Sequence, residues 1–438
     1  MKKNLQFALL LGVMAATAVS ANAESQWDCH NCKIFIEDFA IKKGETKTIS
    51  ICVNNPDYDF TAGQFDMYFK GGITPVLNKS NKIAMTLGAR VPGYEDGFSG
   101  TGSWQSDGAY RYLFYNNDGN YVEDTSGTLF TFKITTDETF GTTGEAPAIE
   151  FGGELKLSDI ADTSHGHILD PTTTNVYEAV PLAEFITKQD GKQYYIADAV
   201  KVIAKTTSKA DKTYAFVTDG NDNWLKVALS EADNQKFVEG QTYEGYQLGG
   251  EVLNAELNPV TTLERALGYK VASTPISAGV ESVDLSRHFE LAANQVVSVA
   301  GYFFNDDNQE TLRAYSGANG ERGQSLSLDF SFVDNNMVNG NPYVISKAAV
   351  ELKAAWTTPT GAPALVAPSD ANSFQNYVIT PLEMAQIATG VNDLNAKAVS
   401  SVRYINVAGM ESTTPFQGVN LVVTTYTDGT TSTAKVIK

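Results

Sequence analysis

Short segments in which apolar and polar residues alternate make up much of the chain. The clearest is the stretch 48–73, where the alternating runs Ile49–Val53 and Phe65–Phe69 are joined by a polar loop. Alternation with a period of two puts one set of side chains on a buried face and the other in water, as in a half-buried β-strand. The pattern predicts two strands here and, because it recurs along the chain, an all-β protein.

Residues 24–175 contain enough of these segments for a β-sandwich. The turn sequence Asn117–Asn120 is a hairpin signal between two of them. The later candidate strands cover 110–114, 127–134, 148–151 and 155–157. Seven or more short strands separated by turns are typical of a sandwich, so we predict a jelly-roll sandwich as the N-terminal domain.

Residues 180–268 change in character. A long bent strand is predicted at 194–204, and a hairpin turn at Asp219–Asp222 follows the next one. Ser230 is a suitable N-cap for a short helix over Glu231–Phe237, with further strand after it. This order resembles a small OB-like barrel.

The rest of the chain is divided into three parts. Residues 269–385 suggest a second, weaker OB-like domain, although the similarity leaves open whether there are one or two barrels. Within it, Thr380–Glu383 is a capping box with proline at the first helical position, which predicts a short helix. A linker is predicted at 386–398, and a small C-terminal β-sandwich tail at 399–438.

Residues 1–23 are typical of a secretory signal peptide. Two lysines precede the apolar run Phe7–Val19, and the small residues Ala21–Ala23 form a cleavage site. The run is too short to span a bilayer comfortably, and we expect no transmembrane segment after cleavage. The pattern predicts export.

The charge of the chain bears on its partners. The formal net charge is −19, and removal of the two leader lysines leaves 30 basic and 51 acidic residues, or −21. A surface this acidic repels phosphate backbones, so we expect no nucleic-acid partner.

Three cysteines, Cys29, Cys32 and Cys52, fall in the first domain. The spacing of Cys29 and Cys32 is found in metal and redox sites, but a second such pair is missing. In an exported protein we predict one structural disulfide, either Cys29–Cys32 or Cys32–Cys52, with one thiol left over.

The N-terminal domain also resembles a known family. The successive segments GETKTISICVNN, FTAGQFDMYFKGGI, AYRYLFYNNDG and SGTLFTFKI are similar to cohesin-like modules, in the superfamily of carbohydrate-binding and cohesin jelly rolls. Members of that family either dock a dockerin or hold polysaccharide on an aromatic face. The resemblance therefore implies protein docking or glycan binding.

The tail resembles the C-terminal sorting domain of the type IX secretion system. The matching residues are Gly409, Gly418, Asp428, Gly429, Lys435 and Lys438. The tail departs from the pattern at Asn420, where an aromatic residue is common. The resemblance implies transport by the type IX machinery and attachment to the outer surface of a Gram-negative bacterium.

Catalytic signals are weak. The motifs HExxH, GxSxG and GxxxxGK[ST] do not occur, and His165 with His167 offers too few ligands for a metal site. We expect no enzyme activity, no cofactor and no metal. Abundant acidic residues leave a polysaccharide hydrolase as an alternative, although no carboxylate pair is marked.

Aromatic residues are the remaining binding candidates, because sugars stack on flat rings. They are Trp104, Tyr110 and Tyr112 in the sandwich and Trp224 in the first barrel. The alternative is that Trp104 covers the edge of the sandwich and Trp224 fills an end of the barrel. The leading hypothesis is an exported, non-catalytic surface protein that binds glycans or is adhesive. A protein-docking scaffold is the second.

Overall fold

The computed structural model describes most of the chain from residue 32 onward. The described ranges are 32–56, 58–91, 93, 96–142, 144–159, 162–254, 257–263, 266–285, 290–306, 309–316, 321–353, 355–357, 363–364, 377–386, 399–426 and 431–437. The leader at 1–23, Cys29, Asp428, Gly429, Lys438 and most of the predicted linker lie outside these ranges.

Nearly all of the regular secondary structure in the described residues is β-strand, which confirms the predicted fold class. Their contacts divide the chain into two compact units. Met1–Lys205 with Lys212–Gly279 form the first unit, and Thr206–Asp211 with Val280–Lys438 form the second. No helix in the described ranges is long and apolar enough to cross a membrane.

The N-terminal module is the predicted sandwich. Its strands are β1 Lys33–Phe35, β2 Phe39–Lys42, β3 Thr46–Asn54, β4 Ala62–Lys70, β5 Ile73–Pro75, β6 Thr86–Leu87, β7 Phe98–Trp104, β8 Tyr110–Asn116, β9 Ser126–Thr136, β10 Ala148–Asp159, β11 Asp162–Ile168 and β12 Thr172–Val180.

Two sheets form this sandwich, and the core lies between them. The smaller has the order β1-β3-β9-β5, and the larger includes the path β12-β10-β4-β8-β7. The two strands of the stretch 48–73 lie in different sheets, so the polar loop between them crosses from one sheet to the other. Their alternation buries Ile49, Ile51 and Val53 on one side of the core and Phe65 and Met67 on the other.

The first barrel follows in the same unit. Its elements are α1 Leu182–Phe185, β13 Tyr194–Ile196, β14 Val200–Thr207, β15 Thr213–Thr218, β16 Trp224–Leu229, α2 Glu231–Asn234, β17 Thr242–Tyr243, β18 Gly249–Gly250, β19 Val252–Leu253 and β20 Val260–Thr262. The sheet order is β17-β14-β15-β16-β20-β19, with β16 and β20 parallel. Strands β13 and β18 extend the larger sheet of the sandwich, which joins the two modules.

Helix α2 begins where the sequence predicts. The hydroxyl of Ser230 accepts a hydrogen bond from the backbone N–H of Asp233 at 3.1 Å, which is an N-cap contact. The helix ends at Asn234, earlier than the predicted Phe237.

A second barrel follows in the other unit. Its strands are β21 Glu281–Val283, β22 Val296–Asp306, β23 Gln309–Ser316, β24 Glu321–Leu328, β25 Pro342–Leu352, β26 Ala355–Thr357, β27 Pro363–Ala364 and β28 Tyr377–Gln386. The order β22-β23-β24-β28-β25 returns to β22, so the barrel closes, and β24 and β28 are parallel. Both barrels thus share one Greek-key order of the OB type.

A short motif repeats between the barrels. The pattern Val-x-Gly-x-x-Tyr occupies 238–243 in the first and 338–343 in the second. In each, the valine N–H donates to the tyrosine hydroxyl, at 2.9 and 2.7 Å. Each glycine has a positive φ, +83° and +82°, and donates its N–H at 2.8 Å to a carbonyl of the barrel's first long strand. These matched contacts indicate two copies of one barrel.

The helix predicted at Thr380–Glu383 is wrong, because these residues lie within β28. Ile379, Thr380 and Leu382 are buried, and pairing with β25 closes the barrel. Pro381 lies opposite Ala348, next to a register shift where a missing N–H is tolerated. Long-range pairing therefore overrides the local capping signal.

The tail is a four-stranded antiparallel sheet. Its strands are β29 Val399–Asn406, β30 Glu411–Ser412, β31 Val419–Tyr426 and β32 Thr431–Ile437. The order is β30-β29-β31-β32. The strands expected at the start, middle and end of this segment are all present.

Candidate functional site

Tyr110 and Tyr112, predicted to contact a ligand, lie in the sandwich core. Both are buried, and the ring of Tyr112 packs 5.2 Å from that of Phe130. The hydroxyl of Tyr110 accepts the backbone N–H of Ile83 at 3.0 Å. The alternation along β8 turns both side chains inward, so they cannot offer a ring face to a ligand in solution. This corrects the prediction for both residues.

The two tryptophans differ from each other. Trp104 is 36% exposed, packs 5.1 Å from the ring of Tyr110 and donates its indole N–H to the carbonyl of Asn81 at 3.2 Å. Trp224 begins β16 and is buried, which corrects its assignment as a ligand platform. Only Trp104 of the predicted aromatics retains surface that a ligand could reach.

The cysteines and histidines form no site in the described ranges. Cys32 is disulfide-bonded and Cys52 is a free thiol, which excludes the Cys32–Cys52 pairing. His167 is buried, with its ring 3.8 Å from that of Tyr58, and the side chain of His165 lies outside the described residues. Among the described residues, no group of three or more His, Cys, Asp or Glu side chains could hold a metal ion.

The side of the larger sheet that faces away from the core carries a polar cluster. The alternation that buries Phe65 and Met67 turns the intervening residues of β4 outward. We call this cluster the outer sheet face, and it consists of Gln64, Asp66, Tyr68, Lys70, Arg111, Glu150 and Glu154. The register places Asp66 opposite Arg111 and Tyr68 opposite Glu150.

An ion pair lies at the centre of the outer sheet face. Arg111 donates from Nε to one carboxylate oxygen of Asp66 at 2.7 Å and from Nη2 to the other at 2.8 Å. Asp66 is 1% exposed, whereas the Arg111 side chain remains 31% exposed. The hydrogen bonding of Arg111 to the Asp66 carboxylate raises the pKa of Arg111. Two parallel hydrogen bonds fix the plane of the guanidinium as well as its position.

A bulge in β10 makes room for this pair. The register between β10 and β4 shifts between Gly152 and Lys156, and Gly153 has a φ of +60°. A Cβ at Gly153 would lie 2.5 Å from Oδ2 of Asp66. Glycine is therefore required twice, for its backbone conformation and for the close approach of the carboxylate. The pair of glycines between two predicted strand segments is a signal from which this bulge could have been predicted.

Further contacts order the rest of the outer sheet face. Gln64 donates to Glu154 at 2.7 Å, and Lys70 donates to Glu150 at 2.8 Å. The hydroxyl of Tyr68 donates to Asp107 at 3.0 Å, and this bond raises the pKa of Tyr68. The side chains thus hold one another in place. Such a surface suits recognition, since it combines arginine and tyrosine, which are frequent among energetically dominant interface residues.

Two asparagines order the tail near residues that match the predicted sorting pattern. The side-chain oxygen of Asn406 accepts the N–H of Ala408 at 3.0 Å and of Met410 at 2.9 Å, around Gly409 with φ +77°. Asn420 is buried and bonds the N–H and the carbonyl of Phe416. Position 420, where the resemblance to sorting domains predicts an aromatic residue, therefore holds a buried and hydrogen-bonded amide.

Two other described residues match the predicted sorting pattern. Gly418 has a φ of +91°, and Lys435 is exposed on β32. Both residues belong to the four-stranded tail, as does the turn at Gly409.

Comparison with solved structures gives partial matches, each over about a third of the chain. No family model matches the chain, and no curated protein matches it. A cohesin in a type I cohesin–dockerin complex from Clostridium thermocellum is 14% identical, with 36% of this chain and 98% of that chain covered and a TM-score of 0.27. A cohesin module of a family 33 glycoside hydrolase from Clostridium perfringens is 14% identical, with 34% of this chain and 96% of that chain covered and a TM-score of 0.24. A non-cellulosomal cohesin from Archaeoglobus fulgidus is 10% identical, with 35% of this chain and 94% of that chain covered and a TM-score of 0.25.

Proposed function

We propose that this protein is a non-catalytic binding protein that docks a partner protein through the outer sheet face. The observation that carries the proposal is the Asp66–Arg111 pair, in which a buried carboxylate holds a partly exposed guanidinium with two hydrogen bonds. An arginine fixed in this way is ready to bond a partner without losing further side-chain freedom.

The charges of the outer sheet face support a protein partner. The cluster contains three acids, Asp66, Glu150 and Glu154, and two bases, Lys70 and Arg111, so neither sign dominates. Mixed charge of this kind favours a partner with a complementary pattern of charges, and it selects against partners whose charges do not match.

Glycan binding by the sandwich is the weaker alternative. Stacking on sugars needs exposed rings, and of the three aromatic residues predicted to contact a ligand in the sandwich, Tyr110 and Tyr112 are buried and Trp104 alone is partly exposed. A polar, mutually bonded sheet face is better suited to hydrogen bonds with a protein surface.

Photo-crosslinking in the producing cells tests the docking proposal. We expect a chain with p-benzoylphenylalanine in place of Tyr68 to give one discrete protein adduct, because Tyr68 lies on the outer sheet face. The same substitution at Tyr214, on β15 of the first barrel, serves as the matched control and should give none. Adding Arg111→Ala to the Tyr68 chain should abolish the adduct. Crosslinking that is equal at both positions, or that persists without Arg111, would contradict the proposal.

We also propose that the protein is exported to the cell surface by the type IX route. The support is the leader pattern of residues 1–23 and the ordered turn of the tail. That turn exposes the apolar side chains of Val407 and Met410, which gives a secretion machinery something to recognise.

Deletion of residues 399–438 tests this route. We expect the truncated protein to accumulate in the periplasm, because the leader still directs the first step while the tail is lost. Cell fractionation with surface protease digestion measures the outcome. Two matched point variants distinguish the effect of losing the turn from that of general destabilisation. They are Gly409→Ala, at φ +77° in the tail, and Gly340→Ala, at φ +82° in the second barrel. Surface exposure of the truncated protein would refute a sorting role.

A further inference from the structure

A groove of about 480 Å³ lies between the sandwich and the first barrel, within one compact unit. Strands β2 and β3 of the sandwich form one wall, and the segments 244–247 and 267–270 of the barrel form the other. The lining includes Phe39, Lys47, Glu244, Tyr246, Gly268 and Lys270. Its volume lies within the range of small-molecule sites in proteins, about 300–1,000 Å³.

The charged groups of the groove already have protein partners. Lys270 forms an ion pair with Glu244 at 3.0 Å. Lys47 donates to the carbonyl of Ala40 at 2.7 Å, and its ammonium lies 4.5 Å from the centre of the Tyr246 ring. Burial lowers the pKa of Lys47. A charged ligand would have to displace one of these contacts, whereas a neutral ligand would leave them in place.

The barrel wall of the groove is held in an unusual conformation. Tyr246 has a φ of +66°, which is uncommon for a bulky residue. Its N–H donates to the carbonyl of Ile196 at 2.7 Å, and its hydroxyl donates to Glu45 at 3.0 Å. A Cβ at Gly245 would lie 2.0 Å from the carbonyl oxygen of Ala197, so the turn has no space to relax. Backbone strain held by several contacts is concentrated at functional sites in proteins.

The chemistry of the lining selects a ligand class. The partly exposed rings of Tyr246 and Tyr269 provide apolar contact, while Glu244 and Gln247 provide hydrogen-bonding groups. A neutral molecule with apolar C–H faces and many hydroxyl groups matches both features. We propose that this groove binds a short neutral saccharide. The proposal is independent of docking by the outer sheet face, because the two sites share no residue.

Titration calorimetry on the full chain tests the groove. The probes are cellotriose, maltotriose, xylotriose and chitotriose, with trigalacturonate as the charged comparison. We expect at least one neutral trisaccharide to bind with a Kd of about 1 mM or tighter. Gly268→Val should weaken that binding by about tenfold or more, because the added side chain fills the groove. A Cβ at Gly268 would meet only the flexible end of Gln247, and the residue has no positive φ.

Gly144→Val is the matched control, because a Cβ there meets nothing within 4 Å. It should bind as the unaltered chain does. Glu244→Gln, which keeps the shape of the wall, is the second variant and should weaken binding several-fold by removing a charged acceptor. The proposal is overturned if no neutral trisaccharide binds, if only trigalacturonate binds, or if Gly268→Val and Glu244→Gln both bind normally. Crosslinking at Tyr68 should be unaffected by Gly268→Val, so the two proposals fail separately.

Discussion

Replacement of Arg90 by methionine is expected to lower the free energy of unfolding of the sandwich by about 4 kcal/mol. Arg90 is buried, and Nε donates to the carbonyl of Glu123 at 2.7 Å while Nη1 donates to that of Val53 at 2.7 Å. Nη2 reaches the side chain of Asn55 and the carbonyl of Asp124, both at 2.6 Å. Methionine fills the volume but removes all four hydrogen bonds, including those to the buried residues Val53 and Asn55, and that loss accounts for the expected effect.

Amide hydrogen exchange along β3 in the full chain measures this change, because its core amides report opening of the sandwich. Arg403→Met is the control. The Arg403 side chain is 49% exposed and forms an ion pair with Glu411, so its loss should cost less than about 1 kcal/mol. Protection of β3 in Arg90→Met within about 0.5 kcal/mol of the unaltered chain would show that the buried guanidinium is not needed.

Gly153→Ala is expected to destabilise the sandwich by about 3 kcal/mol. Roughly 1–2 kcal/mol comes from a side chain at a left-handed φ. The remainder comes from displacement of the Asp66 carboxylate, since the new Cβ would lie 2.5 Å from Oδ2. The same hydrogen-exchange measurement applies.

Two further variants separate these contributions. Gly44 has a φ of +75°, and a Cβ added there would meet nothing within 4 Å, so Gly44→Ala should cost only the backbone term, about 1 kcal/mol. In an Asp66→Ala background, Gly153→Ala should likewise cost only about 1 kcal/mol. An equal cost of Gly153→Ala with and without Asp66 would mean that the bulge does not serve the ion pair.

The sandwich was largely predictable because its information is local. The alternation of apolar and polar residues predicted β3, β4, β8 and β9. The same alternation also indicates that the side chains of Tyr110 and Tyr112 are buried. Residues that alternate with Arg111 on a strand of a two-sheet domain face the core. The prediction of ligand contact for these tyrosines weighed their chemistry above their position on the strand.

The second barrel was harder to predict because its signal is spread over two distant segments. The motif at 238–243 returns one hundred residues later at 338–343, with only the valine, glycine and tyrosine in common. Each of these residues has a structural reason to recur. The valine donates its N–H, the tyrosine hydroxyl accepts it, and the glycine has a positive φ. The capping box at Thr380–Glu383 misled because barrel closure by β28 is a long-range effect.

The outer sheet face could not be predicted from the sequence. Asp66 and Arg111 are 45 positions apart, and only the register of β4 with β8 brings them together. Arg90 illustrates the same point, since its four acceptors come from two separate segments. Contacts of buried charges depend on register and loop paths, to which local patterns are insensitive.

The most direct test of the docking account is the affinity of the protein captured at Tyr68 for variants of the full chain. Arg111→Ala should weaken binding by about a hundredfold, as expected for a dominant interface residue. The double variant Asp66→Ala with Arg111→Ala leaves no unpaired buried carboxylate and should bind as weakly. Lys43→Ala, which removes an ion pair to the exposed Glu138, should bind normally. Normal affinity of both Arg111 variants would contradict docking through the outer sheet face.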